Sequence, residues 1–137
     1  MKKQVVIITA TALSLALLLS LVACNVSIAT KDERITYQGK VLTAVLAENP
    51  TTGYEWSISI DSSTLETSKD DYVSDANPRG ASGAGGTRTL EFTGVSGGTA
   101  TITLVYERSW EPDPNNQTIV VTVTTADDGA ISDVLVQ

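Results

Sequence analysis

The sequence predicts an all-β fold, an antiparallel sandwich of six or seven short strands. After residue 24 the chain is crowded with Val, Ile, Thr and Tyr, which are residues that favour strands. No segment in this region repeats its apolar residues with the 3.6-residue period of a helix. Runs in which apolar and polar residues alternate are separated by clusters of Gly, Pro, Asn and Ser, which is typical of strands joined by turns.

Five of these runs are predicted strands with one face toward a core. In the second run, Trp56 and Ile58 point one way while Glu55 and Ser57 point the other, because side chains alternate along a strand. Two shorter segments are weaker candidates, a brief strand at Asp71–Val73 and a frayed end at Val134–Val136. The five runs are Lys40–Glu48, Tyr54–Asp61, Thr87–Thr93, Thr99–Glu107 and Gln117–Thr124.

The first 24 residues have the pattern of a targeting segment. Lys2 and Lys3 precede an apolar run, Val5–Val22, which ends in the tetrad Leu21-Val22-Ala23-Cys24. A positive start, an apolar run and small residues are typical of a secretory signal. The tetrad resembles the lipobox of bacterial lipoproteins, whose cysteine is lipidated and becomes the new N-terminus. An uncleaved anchor and ordinary secretion stay open, since about 18 apolar residues just span a bilayer.

We therefore expect four parts in the chain. These are a lipoprotein signal peptide at 1–23, a lipidated N-terminus and tether at 24–36, a folded domain at 37–126 and a C-terminal tail at 127–137. The protein would be exported and held through Cys24 at the cell surface or in a cell-envelope membrane, because two or more acyl chains anchor stably.

Composition excludes several classes of function. The 137 residues contain no histidine, which removes Ser-His-Asp and Cys-His hydrolysis and most catalytic zinc sites. The net charge is −7 without a basic stripe, so nucleic acid is a poor partner. Asp70 and Asp71 would point to opposite faces of a strand and form no acid–base pair. We expect no enzymatic activity, no cofactor and no metal.

Three predicted turns are unusual in composition. Asn49-Pro50-Thr51-Thr52-Gly53-Tyr54 fits an ordinary turn, since Pro fixes φ and Gly supplies a positive φ. Gly83-Ala84-Gly85-Gly86 is either a flexible hinge or bare backbone that another chain can approach. In Arg108-Ser109-Trp110, the indole either covers the end of the core or is an exposed anchor for a partner.

Taken together and in this order, the three segments resemble the loop motifs of the chagasin family of cysteine-peptidase inhibitors. That family is marked by NPTTGY followed by a large aromatic residue, by GxGG with a Phe six residues on, and by RPW. Here Trp56 follows the first motif and Phe92 lies six residues after Gly86. The resemblance covers residues 34–125, and its departure is Ser109 in place of the family's proline, which bears on the rigidity of the third loop.

The resemblance implies an Ig-like β-sandwich of seven or eight strands with its three loops at one end. It implies a reversible, non-covalent inhibitor of papain-like cysteine peptidases, acting as a monomer whose loops occlude the active-site cleft. The first loop would sit at the catalytic Cys and His of the enzyme, the second on its non-primed side and the third on its primed side. The residues expected to bind the peptidase are Asn49, Pro50, Thr51, Thr52, Gly53, Tyr54, Gly83, Gly85, Gly86, Arg108 and Trp110.

A second hypothesis is a surface-anchored Ig-like binding or adhesion module with no inhibitory activity. Sandwich domains are common scaffolds, and a fold does not fix a function. The two hypotheses differ in what the loops do: under the second, scrambling them would leave peptidase activity unchanged.

Overall fold

The computed structural model describes residues 27–75 and 83–137. Within these ranges the chain forms nine strands and one short 3-10 helix, Pro50–Thr52. The strands are β1 (Ile28–Ala29), β2 (Ile35–Gln38), β3 (Val41–Glu48), β4 (Glu55–Ile60), β5 (Leu65–Ser74), β6 (Gly86–Gly94), β7 (Gly98–Glu107), β8 (Thr118–Thr125) and β9 (Ile131–Val136).

The strands form two antiparallel sheets. One sheet has five strands in the order β1-β2-β3-β6-β5, and the other has four in the order β4-β7-β8-β9. Every pairing in both sheets is antiparallel. The prediction of an all-β antiparallel sandwich is confirmed, and consecutive strands such as β3 and β4 lie in different sheets, as expected when a chain crosses between the layers of a sandwich.

The core lies between the sheets and follows the alternation of the sequence. Alternate residues of β3, β6, β7 and β8 are fully or nearly fully buried, whereas the residues between them are half-buried or exposed. This matches the face predicted for Trp56 in β4, and Leu90 and Phe92 of β6 are fully buried in the same core. The largest fully buried side chains are Phe92, Ile35, Leu42, Leu46, Leu90, Ile102, Leu104, Ile119, Val121 and Val123.

Strand β5 is longer than the sequence predicts. The short candidate at 71–73 is part of the ten-residue strand β5, an edge strand in which Leu65 is the one buried residue. An edge strand with little burial carries no apolar alternation, so its sequence LETSKDDYVS gives no periodic signal. β5 also contains an irregularity of register between Thr67 and Lys69, a feature that protects an exposed edge from pairing.

The ends of the domain are also more ordered than expected. Strands β1 and β2 fall largely within the segment treated above as a tether, and β2 contributes the fully buried Ile35 to the core. Strand β9 lies in the segment treated as a tail, where it pairs with β8 from Thr125 to Val121 and buries Val136. Residues 131–136 are therefore part of the second sheet rather than a frayed end.

The register of the strands places the three unusual loops at one pole. Glu48, at the end of β3, is level with Gly86 at the start of β6, which is level with Ser74 at the end of β5. In the other sheet Glu55 is level with Glu107. The loops that join these ends therefore leave the sandwich on the same side.

The opposite pole carries the β2–β3 turn and the N-terminal strand. Ile28 pairs with Tyr37 and Ala29 with Thr36, so β1 begins at its end nearer the turn at Gly39. Residues 1–23 and Cys24 lie outside the described residues. Among residues 27–75 and 83–137, no helix is long and apolar enough to cross a bilayer.

Candidate functional site

The first loop, residues 49–54, is a closed turn stabilised by its own side chains. The backbone N–H groups of Thr52 and Gly53 donate to the carbonyls of Asn49 and Pro50, at 3.1 and 2.9 Å. The hydroxyl of Thr51 donates to the Asn49 side-chain oxygen at 2.6 Å, and that of Thr52 donates to the Asn49 carbonyl at 2.7 Å. Gly53 closes the turn with φ of 80°, a conformation that favours glycine. The loop is therefore rigid, and it exposes Thr51 and Thr52.

The second loop contacts the first loop and the end of β5 through its own backbone carbonyls. The Asn49 side-chain amide donates to the Gly83 carbonyl at 3.1 Å, and the Asp75 N–H donates to the Gly85 carbonyl at 2.9 Å. Gly85 has φ of 72°, and a β-carbon there would lie 3.2 Å from the Glu48 carbonyl oxygen. At Gly86 a β-carbon would lie 2.7 Å from the Tyr72 hydroxyl. A side chain at Gly85 would therefore crowd the end of β3, and one at Gly86 would collide with β5.

The third loop is a four-residue turn from Arg108 to Glu111. The Glu111 N–H donates to the Arg108 carbonyl at 3.0 Å, and the two side chains form an ion pair at 3.0 Å. Arg108 also donates through Nε to the Thr52 carbonyl at 3.0 Å, which connects the third loop to the first. Trp110 is 70% exposed, yet its ring lies over the α-carbon of Gly53.

A stack of side chains lies between the first and third loops and the core. The Arg108 guanidinium lies 4.5 Å from the centroid of the Tyr54 ring, a cation–π contact. Tyr106 lies next in the stack, with its centroid 5.3 Å from that of Tyr54 and 5.1 Å from that of Trp56. The Tyr106 hydroxyl accepts the Asn49 N–H at 3.1 Å. The stack therefore joins the first and third loops to the buried core.

We define the three-loop surface as residues 49–54, 83–86 and 108–111. These segments contain the eleven residues predicted from the sequence to bind a peptidase, a role that stays a prediction, and Ser109 is exposed among them. A groove of about 290 Å³ lies beside the contact between the first and third loops and is lined by Pro50, Gly53, Glu55, Trp56, Ser57, Glu107, Ser109 and Trp110. The surface consists of a rigid turn, bare backbone and an exposed indole, which are features of protein recognition rather than of catalysis.

Sequence reasoning missed a charged cluster behind this surface. Glu48 is 5% exposed, and its carboxylate accepts the Trp56 N–H at 2.9 Å and Nη1 of Arg88 at 3.1 Å. The same Nη1 donates to the Trp56 carbonyl at 2.9 Å. Nε and Nη2 of Arg88 donate to the two carboxylate oxygens of Asp70 at 2.7 and 2.8 Å.

These contacts change the acidity of the partners. The hydrogen bonds from Arg88 hold the pKa of Asp70 below its usual range, and those bonds, with Glu48 adding to them, raise the pKa of Arg88. One feature of the sequence pointed to this cluster. Arg88 alternates in phase with Leu90 and Phe92, and an arginine on the core face of a strand requires carboxylate partners.

The described part of the chain contains no candidate metal site. Throughout 27–75 and 83–137, no group of three or more His, Cys, Asp and Glu side chains is arranged to hold an ion. The chemistry available at the three-loop surface is hydrogen bonding by backbone and hydroxyl groups together with aromatic contact.

The chain is similar in sequence to two proteins of Entamoeba histolytica. Amoebiasin-1 of Entamoeba histolytica is 38% identical over 79 residues, which is 58% of this chain and 76% of that protein. Amoebiasin-2 of the same organism is 36% identical over 66 residues, which is 48% of this chain and 54% of that protein.

Two solved structures share the fold. The crystal structure of the cysteine protease inhibitor EhICP2 from Entamoeba histolytica matches with a TM-score of 0.53 at 29% identity, over 61% of this chain and 77% of that one. The solution structure of amebosin matches with a TM-score of 0.51 at 36% identity, over 64% and 81% of the two chains. The Ig-like sandwich implied by the sequence resemblance agrees with these neighbours.

The family itself is identified by a match that covers most of the folded domain. Residues 36–123 match the sequence profile of the chagasin family peptidase inhibitor I42. This range contains all three loop motifs and strands β3 to β7 complete. The match, the curated relatives and the shared fold lead to one conclusion: this chain belongs to the chagasin family of peptidase inhibitors.

Proposed function

We propose that this protein is a reversible, non-covalent inhibitor of papain-like cysteine peptidases and that the three-loop surface occludes their active-site cleft. The observation that carries the proposal is that three segments distant in sequence form one hydrogen-bonded surface at one pole. Asn49 donates to Gly83, and Arg108 donates to Thr52, so the loops support one another. Family membership favours this function over an adhesion module and over an enzyme.

Each loop suits a different part of such a cleft. Thr51 and Thr52 are exposed, small and uncharged, so they can approach a thiolate–imidazolium pair without introducing a charge. The glycine loop offers backbone N–H and C=O groups to an extended strand of the enzyme. Trp110 supplies a large rigid apolar surface.

The rigidity of the first loop suits inhibition without cleavage. Four hydrogen bonds hold residues 49–53 in a turn around a 3-10 helix. A peptide that is cleaved must instead present an extended scissile bond in a near-attack pose. A preformed turn also loses little conformational entropy on binding, so more of the contact energy contributes to affinity.

The test is a titration of active-site-titrated papain with residues 25–137, followed by hydrolysis of a fluorogenic dipeptide. We expect loss of activity at one inhibitor per enzyme, recovery on dilution and an intact inhibitor band on a gel. The same domain with residues 50–53 replaced by Gly-Ser-Gly-Ser serves as the control. No inhibition of papain and of two cathepsins at micromolar concentration would contradict the proposal.

We further propose that Cys24 carries a lipid and that the protein is exported, anchored in a cell-envelope membrane and monomeric. The support is the charge, apolar run and lipobox-like tetrad of residues 1–24. The test is expression of the full chain in a bacterial host with lipoprotein-processing enzymes. Mass spectrometry should find a diacylglyceryl-modified Cys24 at the N-terminus in the membrane fraction, and Cys24→Ser should leave the precursor uncleaved. An unmodified Cys24 in mature protein would contradict lipidation.

A further inference from the structure

The charged cluster of Glu48, Arg88 and Asp70 joins elements that carry different loops. Glu48 ends β3, just before the first loop, and the Trp56 backbone that it contacts lies just after that loop, in the other sheet. Arg88 lies in β6, two residues after the second loop ends at Gly86. One set of contacts therefore connects both ends of the first loop with the base of the second.

The contacts at Trp56 fix both of its backbone groups. Its N–H donates to the Glu48 carboxylate at 2.9 Å, and its carbonyl accepts from Arg88 at 2.9 Å. The indole N–H of Trp56 also donates to the Ala47 carbonyl at 2.9 Å, which brings β3 and β4 together at the same level. The entry and exit of the first loop are thus held by side chains from across the sandwich.

Such a cluster contributes geometry more than net stability. Placing charges in a protein interior costs desolvation energy that the ion pair only partly offsets, and apolar replacements are often as stable. The planar guanidinium of arginine binds in fixed directions, whereas a lysine ammonium does not. Arg88 uses this fork fully, since Nη1 contacts Glu48 and Trp56 while Nε and Nη2 contact Asp70.

We propose that Glu48 and Arg88 are positioning residues that hold the two ends of the first loop at a fixed separation and so set the pose of the inhibitory surface. This inference rests on the proposed function. Asp70 has a different role within the cluster. Its side chain is 42% exposed on the edge strand β5 and accepts two hydrogen bonds from Arg88, so it orients the guanidinium from the side away from the first loop.

The experiment compares Glu48→Gln and Arg88→Lys with two matched controls. Asp70→Asn removes one arm of the cluster but keeps the contacts to Trp56. Val123→Ala weakens the core toward the opposite pole, where Val123 is fully buried beside Ala100 and Val134. For each variant we would measure the melting temperature, the inhibition constant and association rate with papain at 25 °C, and amide exchange of Thr52 and Gly53.

We expect Glu48→Gln and Arg88→Lys to weaken inhibition at least tenfold at a temperature where each variant is fully folded. Amide exchange at Thr52 and Gly53 should accelerate in both variants, because their hydrogen bonds close the first loop. Asp70→Asn and Val123→Ala should lose less than threefold in affinity for papain. This should hold even where their melting temperatures fall as far as those of Glu48→Gln and Arg88→Lys. If affinity instead follows melting temperature across all four variants, the cluster has a purely structural role and the proposal is wrong.

The two proposals can fail separately. If the unmodified domain inhibits no papain-like peptidase, the proposed function fails, and amide exchange still decides the positioning role. If the unmodified domain inhibits papain while exchange at Thr52 and Gly53 is unchanged by both substitutions, only the positioning role is overturned. Should Glu48→Gln fail to fold, Arg88→Lys decides, since it keeps the charge and most of the volume.

Discussion

The ring of Trp110 lies over Gly53, so a β-carbon at position 53 would collide with the end of the indole, at Cη2 and Cζ2. The residue that closes the first loop and the aromatic anchor of the third are therefore packed against each other. Trp110 is nevertheless 70% exposed, which leaves most of its surface free for a partner. This single contact makes the orientation of the indole depend on the first loop.

We expect Trp110→Ala to weaken inhibition of papain by about 2 kcal/mol or more, roughly thirtyfold, because aromatic anchors dominate interfaces of this kind. The melting temperature should change little, since most of the side chain is in solvent. Inhibition constants and thermal unfolding curves measure the two effects. Val95→Ala is the control, because Val95 is 46% exposed in the turn between β6 and β7, away from the loops. A loss of less than tenfold for Trp110→Ala would contradict the anchor role.

Gly53→Ala should weaken both folding and inhibition. A positive φ costs an L-residue about 1 kcal/mol, and the added methyl group must displace Trp110. Gly39→Ala is a matched control, since Gly39 has φ of 58° with nothing within 4 Å of the added carbon. We expect similar loss of stability in urea unfolding for both variants, but reduced affinity for papain only at position 53. In a double-mutant cycle, Gly53→Ala and Trp110→Ala should be less than additive; full additivity would mean that the contact does not orient the indole.

Ser109→Pro should tighten binding and raise stability. Ser109 occupies the second position of the turn closed by Glu111 N–H and the Arg108 carbonyl, where proline is favoured. Its own N–H takes no part in that closing bond, and a compatible proline stabilises by about 0.4–1 kcal/mol through the unfolded chain. We expect a higher melting temperature and a slower dissociation rate from papain. Weaker binding would show that the third loop must adjust when it meets the enzyme.

The ion pair of Asp70 with Arg88 should make stability depend on acid pH. Arg88 lowers the pKa of Asp70 in the folded state, so this pair contributes stability that is present above the unfolded value of about 3.9. That contribution is lost as pH falls through the lower, folded pKa. The difference in unfolding free energy between the protein and Asp70→Asn should be constant above about pH 5 and should shrink below about pH 4. Urea unfolding between pH 2.5 and 7 measures it.

Asp71→Asn is the control for that series. Asp71 is the next residue along β5, 63% exposed, and its partner Lys69 lies 3.7 Å away. Its substitution should change stability little at any pH, because exposed ion pairs contribute little. A constant difference for Asp70→Asn across the whole pH range would contradict the depressed pKa.

The sequence predicted most of the fold because strands buried on one face alternate apolar and polar residues. Strands β3, β4, β6, β7 and β8 were predicted within a residue or two, since each alternates between core and solvent. β5 was mostly missed, because an edge strand with one buried residue has no alternation to detect. β9 was underestimated for a similar reason: much of its length is exposed and pairing with β8 supplies its order.

Some residues of the candidate site could likewise be predicted from the sequence, and others could not. The three motifs could be identified because their residue types are distinctive at close spacing. Glu48 could not, because one carboxylate at a strand end looks the same whether it is solvated or buried against Arg88. Its partners lie 8 and 40 positions away in sequence: Trp56 comes from the other sheet and Arg88 from the neighbouring strand β6, so only the tertiary structure brings them together. Tyr106 could not be identified either, because its hydrogen bond to Asn49 joins residues 57 positions apart in sequence.

The direction of strand β1 determines how the molecule can be held. Ile28 is level with Tyr37, so β1 begins at its end nearer the Gly39 turn, on the side away from Thr51 and Trp110. Strand β9 runs the other way, from Thr125 back toward the loops, and Gln137 pairs with Val120. Attachment to a bead, chip or vesicle through the segment before residue 28 should therefore display the inhibitory surface outward. Attachment through Gln137 should bring that surface closer to the support and obstruct the approach of a peptidase.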